Sequence, residues 1–176
     1  MSTNVKFEQK LPGLHKVIGM TLPLSREFMP MIAIEAFAKT IDVHPEWKLK
    51  IIGFGNLYSD IQTYIKSRSL QNRILLYGPL EESEMYDVLK RTDIILIPSD
   101  NDDESLHRNI LRLGTPIIIH NNNKIKDHMN MDCGLVHYDG SLEQMTTFMD
   151  NTIRNIDKFD STNLLIKRPE YNIANI

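Results

Sequence analysis

The stretch richest in reactive side chains runs Ser99-Asp-Asn-Asp-Asp-Glu-Ser-Leu106. It follows the apolar run Ile94-Ile-Leu-Ile97 and leads into 106–113, where apolar residues recur at helical spacing, so it reads as the passage from a strand end into a helix N-terminus. Free backbone N–H groups and the positive end of a helix dipole suit a diphosphate at such a place. Asp102, Asp103 and Glu104 would repel that ligand, unless they turn back and cap the helix they precede; both readings stand. Gly53-Phe-Gly55 closes a second apolar run and Tyr77-Gly78-Pro79 a third. Glycine at a strand end lets backbone approach a nucleotide without a Cβ in the way, and it serves equally in a tight strand-to-helix turn.

Metal and redox chemistry find little here. Asp100-Asn-Asp102 is a short Asp-x-Asp, a triplet that arises often by chance. His44, His107, His120, His128 and His137 lack the close spacing of metal ligands. His120 and His137, both at strand ends, read equally as structural or functional. The single cysteine, Cys133, makes no internal disulfide and no zinc pattern. No metal or other cofactor is expected.

The elements that must position these residues alternate short apolar runs with amphipathic segments, which is the α/β signature. The runs are 16–20, 49–53, 74–77, 94–97, 116–119 and 134–138; several are apolar on both faces, as in a parallel sheet covered by helices on each side. Helical periodicity falls on 31–41, 59–67, 82–90, 106–113 and 142–156, and Gly114 closes the fourth as a left-handed cap would. Repeated units of this kind give a single doubly wound α/β domain with a parallel sheet of about six strands and a ligand cleft at the strands' C-terminal ends. The expected organisation is an N-terminal extension over 1–15, the domain over 16–157 and a weakly patterned tail over 158–176. Trp47 and the methionines fit ordinary packing.

The 176 residues carry 41% hydrophobic and 24% charged side chains, a mixture that excludes disorder. A formal charge of −3 gives no field to draw the chain to nucleic acid or anionic lipid. No apolar run approaches the roughly 20 residues that span a bilayer, and the first residues lack a signal-peptide core, so a cytoplasmic protein is expected. No Gly-x-Gly-x-x-Gly follows the first strand, which disfavours a dinucleotide cofactor.

Four segments, in this order and spacing, resemble the C-terminal, donor-binding half of a GT-B glycosyltransferase of the family 4 or group 1 type. They are Ile34-Glu-Ala-Phe37, Leu49-Lys-Ile-Ile-Gly-Phe-Gly55, Arg73-Ile-Leu-Leu-Tyr-Gly-Pro-Leu80, and Thr92-Asp-Ile-Ile-Leu-Ile-Pro-Ser99 followed by Leu113-Gly-Thr-Pro-Ile-Ile118. Tyr171-Asn-Ile-Ala174 resembles the start of that family's final crossing helix. The resemblance implies a Rossmann-like domain that binds a nucleotide sugar for a retaining transfer without metal. It also implies an acceptor-binding N-terminal domain, in the same parent chain or as a separate subunit.

Carried onto this sequence, the resemblance assigns donor contacts to Arg26, Gly53, Gly55, Tyr77, Gly78, Ser99, Asp102, Asp103, Glu104, Ser105 and Asn109. The backbone after Gly78 would face the nucleobase. Two glutamates with seven residues between them are usual in such enzymes; counted back from Gly114-Thr-Pro116, the ribose-binding one falls on Asn109, and the other on Asn101, or on Asp102 or Asp103 in a shorter loop. An Arg and a Lys usually neutralise the leaving diphosphate, and here Arg26 is the only cation in the loop after the first strand. These departures leave room for a second reading, a non-catalytic domain of the same fold used for interaction or regulation.

Overall fold

The computed structural model describes residues 16–100, 106, 109–110, 113–121 and 135–158. Six strands, Lys16–Thr21 (β1), Trp47–Ile52 (β2), Ile74–Gly78 (β3), Ile94–Ile97 (β4), Ile117–His120 (β5) and Leu135–Tyr138 (β6), form one sheet in the order β3-β2-β1-β4-β5-β6. Every pairing is parallel. The helices are Pro30–Thr40 (α1), Tyr58–Ser67 (α2), Glu82–Leu89 (α3) and Leu142–Arg154 (α4); Leu106, Asn109 and Ile110 are helical too. The chain is therefore the doubly wound α/β domain that its apolar runs predict.

The continuous runs are continuous because both faces of each strand are covered. Ile94 and Leu96 of β4 join a core with Ala33, Ile34 and Phe37 of α1, Ile61 and Ile65 of α2, and Met145, Met149 and Ile153 of α4. Ile95 and Ile97 point the other way, into a second core with Val88 and Leu89 of α3 and with Ile110. Successive side chains of a strand alternate faces, so four isoleucine and leucine positions in a row satisfy both layers.

Local chemistry fixes where the helices start. Glu81 and Glu84 form a capping box at α3, the Glu81 N–H donating to Glu84 Oε2 at 3.2 Å. Ser141 Oγ accepts from the Gln144 N–H at α4. Element ends differ by a few residues from the sequence expectation. β2 starts two residues early, because Trp47 is 1% exposed and pairs with Lys16. α4 stops at Arg154, with the Asn155 amide donating to the Asn151 carbonyl before a 3-10 turn over Ile156–Lys158.

The pairing of β1 positions the site. β1 pairs with β2 at six positions, from Lys16↔Trp47 to Thr21↔Ile52, but with β4 only at Ile18↔Ile94 and Gly19↔Ile95. The two strands start together, tied by Val17 N–H to Asp93 Oδ2 at 2.8 Å and Asp93 N–H to Val17 O at 2.7 Å, and then part. At their C-terminal ends the crossovers to the left and right of β1 diverge, which is the switch point at which parallel α/β sheets form a ligand crevice.

Candidate functional site

The loop after β1 runs alongside the end of β2. Leu22 N–H donates to Ile52 O at 3.1 Å, Leu24 N–H to Phe54 O at 3.1 Å, and Leu57 N–H to Leu24 O at 2.8 Å. Gly53 and Gly55 make this contact feasible. A Cβ on Gly53, whose φ is +149°, would lie 2.0 Å from the Leu22 carbonyl oxygen, and one on Gly55 would lie 2.4 Å from that of Leu24. The chain's own backbone thus fills the space in front of both glycines. Past this anchored stretch, a 3-10 turn over Arg26–Phe28 presents Arg26 to solvent, and Met29, at φ 55°, starts α1 with Pro30 in the first turn.

On the other side of the crevice, β4 delivers Pro98, buried Ser99 and exposed Asp100. The Tyr138 hydroxyl at the end of β6 donates to the Pro98 carbonyl oxygen. Burial pushes the Tyr138 phenol well above its ordinary pKa, and the carboxylates of Asp139 and Asp100 add to this, so it stays a donor at any physiological pH. The His120 ring, 8% exposed, meets Tyr138 edge-on at 5.4 Å. Gly140, at φ 89°, makes room for it: a Cβ there would lie 2.9 Å from His120 Nε2 and 3.5 Å from Met29 Cε. The ends of β4, β5 and β6 are thereby tied to one another and, through Met29, to the start of α1.

Arg26, Gly53, Gly55, Tyr77, Gly78 and Ser99 accordingly sit at the C-terminal ends of β1, β2, β3 and β4, along one rim. The Gly53 N–H donates to Gly78 O at 2.9 Å, joining two of these positions directly. Gly78 has φ 74°, and a Cβ there would meet only the Tyr58 hydroxyl at 4.0 Å, an ordinary contact, so backbone conformation rather than crowding favours glycine there. The Tyr77 side chain packs against the core that holds Val88 and Leu89. Asn109 is helical and half-buried. Asp102, Asp103, Glu104 and Ser105 lie outside the described residues.

Phe54, Tyr58, Tyr138 and Gly140 belong to the rim and are not among the residues read from sequence. Phe54 did carry a signal, an aromatic residue where a strand-end turn favours polar ones. Tyr138 and Gly140 carried none, since their contacts exist only once β6 is placed beside β5. An open groove of about 730 Å³ lies elsewhere, along the free edge of β3 against α2, and shares only Tyr77 with the rim. Among the described residues no group of three or more His, Cys, Asp or Glu is placed to hold a metal, and no helix is long and apolar enough to cross a membrane.

The sequence model of the family described as glycosyl transferases group 1 matches residues 2–149. The exopolysaccharide phosphotransferase SCO2592 of Streptomyces coelicolor is 31% identical over 87 residues, which are 47% of this chain and 9% of that protein. The chain thus spans only a small part of that relative's length. Among solved structures, the C-terminal domain of the glycosyl transferase group 1 family protein LpcC from Francisella tularensis aligns over 90% of this chain and 87% of its own, at TM-score 0.74 and 16% identity. The catalytic domain of cholesterol-alpha-glucosyltransferase from Helicobacter pylori aligns over 89% of this chain and 99% of its own, at TM-score 0.74 and 14% identity. Anabaena Alr3699/HepE in complex with UDP and glucose aligns over 90% of this chain and 45% of its own, at TM-score 0.74 and 14% identity. At these identities the three structures show a shared fold.

Proposed function

The chain belongs to the group 1 glycosyl transferases, and on that premise we propose that it is the donor-binding domain of a retaining glycosyltransferase, holding a nucleotide sugar across the crevice between β1 and β4. The observation that supports the reading is the placement of Arg26, Gly78 and Ser99 along one rim, after β1, at the end of β3 and after β4, with the switch in strand order falling between β1 and β4. Structural neighbours hold UDP, among them HepE and the pneumococcal O-GlcNAc transferase GtfA. For this chain UDP is therefore the first nucleotide to test.

In this reading the diphosphate lies between the Arg26 turn and the strand-to-helix passage after Ser99. Departure of a nucleoside diphosphate builds negative charge on its terminal oxygens, and Arg26 together with backbone N–H groups would offset it without a metal. The base lies toward Gly78. Asn109, a neutral amide in place of the usual carboxylate, offers a ribose hydroxyl a single carbonyl acceptor on a shorter stem, which makes weak binding the expectation. The acceptor comes from an N-terminal domain of the parent chain or from a separate subunit, and that partner is needed to exclude water and present a hydroxyl. Calorimetry with UDP on wild type and Arg26→Ala tests this. A loss of about 1 to 2 kcal/mol is expected if the guanidinium makes a charge-assisted contact. Equal affinities would remove Arg26 from the site.

A further inference from the structure

Among the described residues, two large apolar side chains are strongly exposed, Val43 at 59% and Phe54 at 62%. Val43 precedes β2, at the end of the sheet away from the crevice, whereas Phe54 follows β2 on the rim. Single exposed apolar residues are ordinary, but Phe54 differs from a chance surface residue in how firmly it is held. Its carbonyl accepts from Leu24 N–H, the preceding Gly53 donates to Gly78, and the following Gly55 accepts from Tyr58 N–H at 3.1 Å. Carbonyl oxygens of Leu22 and Leu24 close against the two flanking glycines, so this loop has no room to slide. The ring has a fixed root.

Its surroundings are aromatic. The Phe54 and Tyr58 rings lie 5.2 Å apart, tilted by 41°. The Tyr58 hydroxyl in turn comes 4.0 Å from the place a Gly78 Cβ would occupy, so Phe54, Tyr58 and the Gly78 turn make one continuous wall. Tyr77, the aromatic next to that glycine, is engaged with the core under α3. Phe54 is then the aromatic ring on this part of the rim with a large open face. Strands spaced about 4.8 Å apart put the end of β3 about 14 Å from the end of β4. That span suits an extended nucleoside diphosphate with its phosphates near Ser99 and its base near Gly78.

We propose that Phe54, backed by Tyr58, is a nucleobase-stacking residue that fixes one face of the base of the nucleoside diphosphate. The inference rests on the donor-binding reading above. Stacking on a ring whose backbone is already held costs less ordering entropy than stacking on one in a free loop, and any base has a π face to offer, so Phe54 contributes affinity rather than choice among bases.

The test is titration of the full chain with UDP and, separately, inorganic pyrophosphate, followed by backbone amide chemical shifts in wild type, Phe54→Ala and Phe54→Trp. Because Phe54 is exposed, both variants should melt within a few degrees of wild type. Phe54→Ala is expected to weaken UDP about 5- to 30-fold, the lower part of the range that aromatic truncation costs a stacked base. Phe54→Trp should restore it to within about threefold, and pyrophosphate should shift the Arg26 amide equally in all three proteins. UDP affinity unchanged in Phe54→Ala, or Phe54→Trp no better than Phe54→Ala, overturns the stacking role and leaves the donor site standing. Equal losses of UDP and pyrophosphate also overturn it, since the residue would then act through the fold. A wild type that binds neither overturns the donor-binding reading itself.

Discussion

At the residue scale, the glycines divide into two kinds that look alike in the sequence. Gly53 is required by contact as well as by conformation, with the Leu22 carbonyl oxygen 2.0 Å from the Cβ it lacks, whereas a Cβ on Gly78 would meet only the Tyr58 hydroxyl at an ordinary 4.0 Å, so that its φ of 74° alone calls for glycine. Backbone cannot yield as a flexible side chain does. Gly53→Ala should therefore lower stability by about 3 kcal/mol or more, and Gly78→Ala by about 1 to 2 kcal/mol, the cost of a left-handed alanine. Urea unfolding of both variants checks the order; equal losses would mean that the loop after β1 moves aside freely. The same contrast shows what a single residue revealed. That Gly53 and Gly55 were special was legible from their place at a strand end. Their reason was not, because the carbonyls that meet them lie about thirty residues earlier in the chain, at Leu22 and Leu24. Thr92 and Gly19 repeat the lesson: Thr92 Cγ2 would lie 2.5 Å from a Gly19 Cβ, so a residue inside a family-like segment is there to pack.

At the element scale, the alternation of runs and amphipathic segments was readable because strands buried on both faces cannot alternate polar with apolar. Element ends were less so. β2 begins at Trp47 for the sake of a buried indole and a partner on β1, neither of which is visible in local spacing. The link between α1 and α4 was not readable at all. His44, after α1, meets Asp150 Oδ1 of α4 at 2.6 Å, while Arg154 Nε donates to Asp150 Oδ2 at 2.8 Å. The Arg154 hydrogen bond, with help from His44 and against partial desolvation, holds the Asp150 carboxyl below the ordinary 3.8. A depressed carboxylate pKa means that the folded state binds the proton less readily than the unfolded one. Its stabilisation is thus present above pH 3.8 and is lost as pH falls through the lower folded value. Asp150→Asn should cost about 1 kcal/mol at neutral pH, as befits a half-exposed pair, and the gap to wild type should close in acid. Denaturation of both proteins at several pH values measures it. A gap that widens below pH 3.8 would contradict the sign.

At the scale of the whole molecule, one sheet order accounts for the site. Placing β1 between β2 and β4 lets the β1 loop lean on β2, away from β4, and leaves the crevice open. Placing β6 beside β5 brings Tyr138 to Pro98 and Gly140 to His120, so the far side of the crevice is braced from behind. Neither arrangement is local in the chain, which is why Tyr138 and Gly140 escaped the sequence while Ser99 and Gly78 did not. The groove along β3 and α2 competes for attention by volume alone; it runs along the sheet's edge and reaches the rim only at Tyr77. The central claim is that the rim at those ends, and not that groove, binds a nucleoside diphosphate. Mapping amide chemical shifts during a UDP titration of the full chain tests it most directly. Saturable shifts centred on Arg26, Phe54, Gly78, Ser99 and Asp100, with a Kd of about 0.1 to 1 mM, are the predicted result. Shifts confined to Gln62, Lys66 and Gln71 along the β3 groove, or no saturable change anywhere, would contradict it.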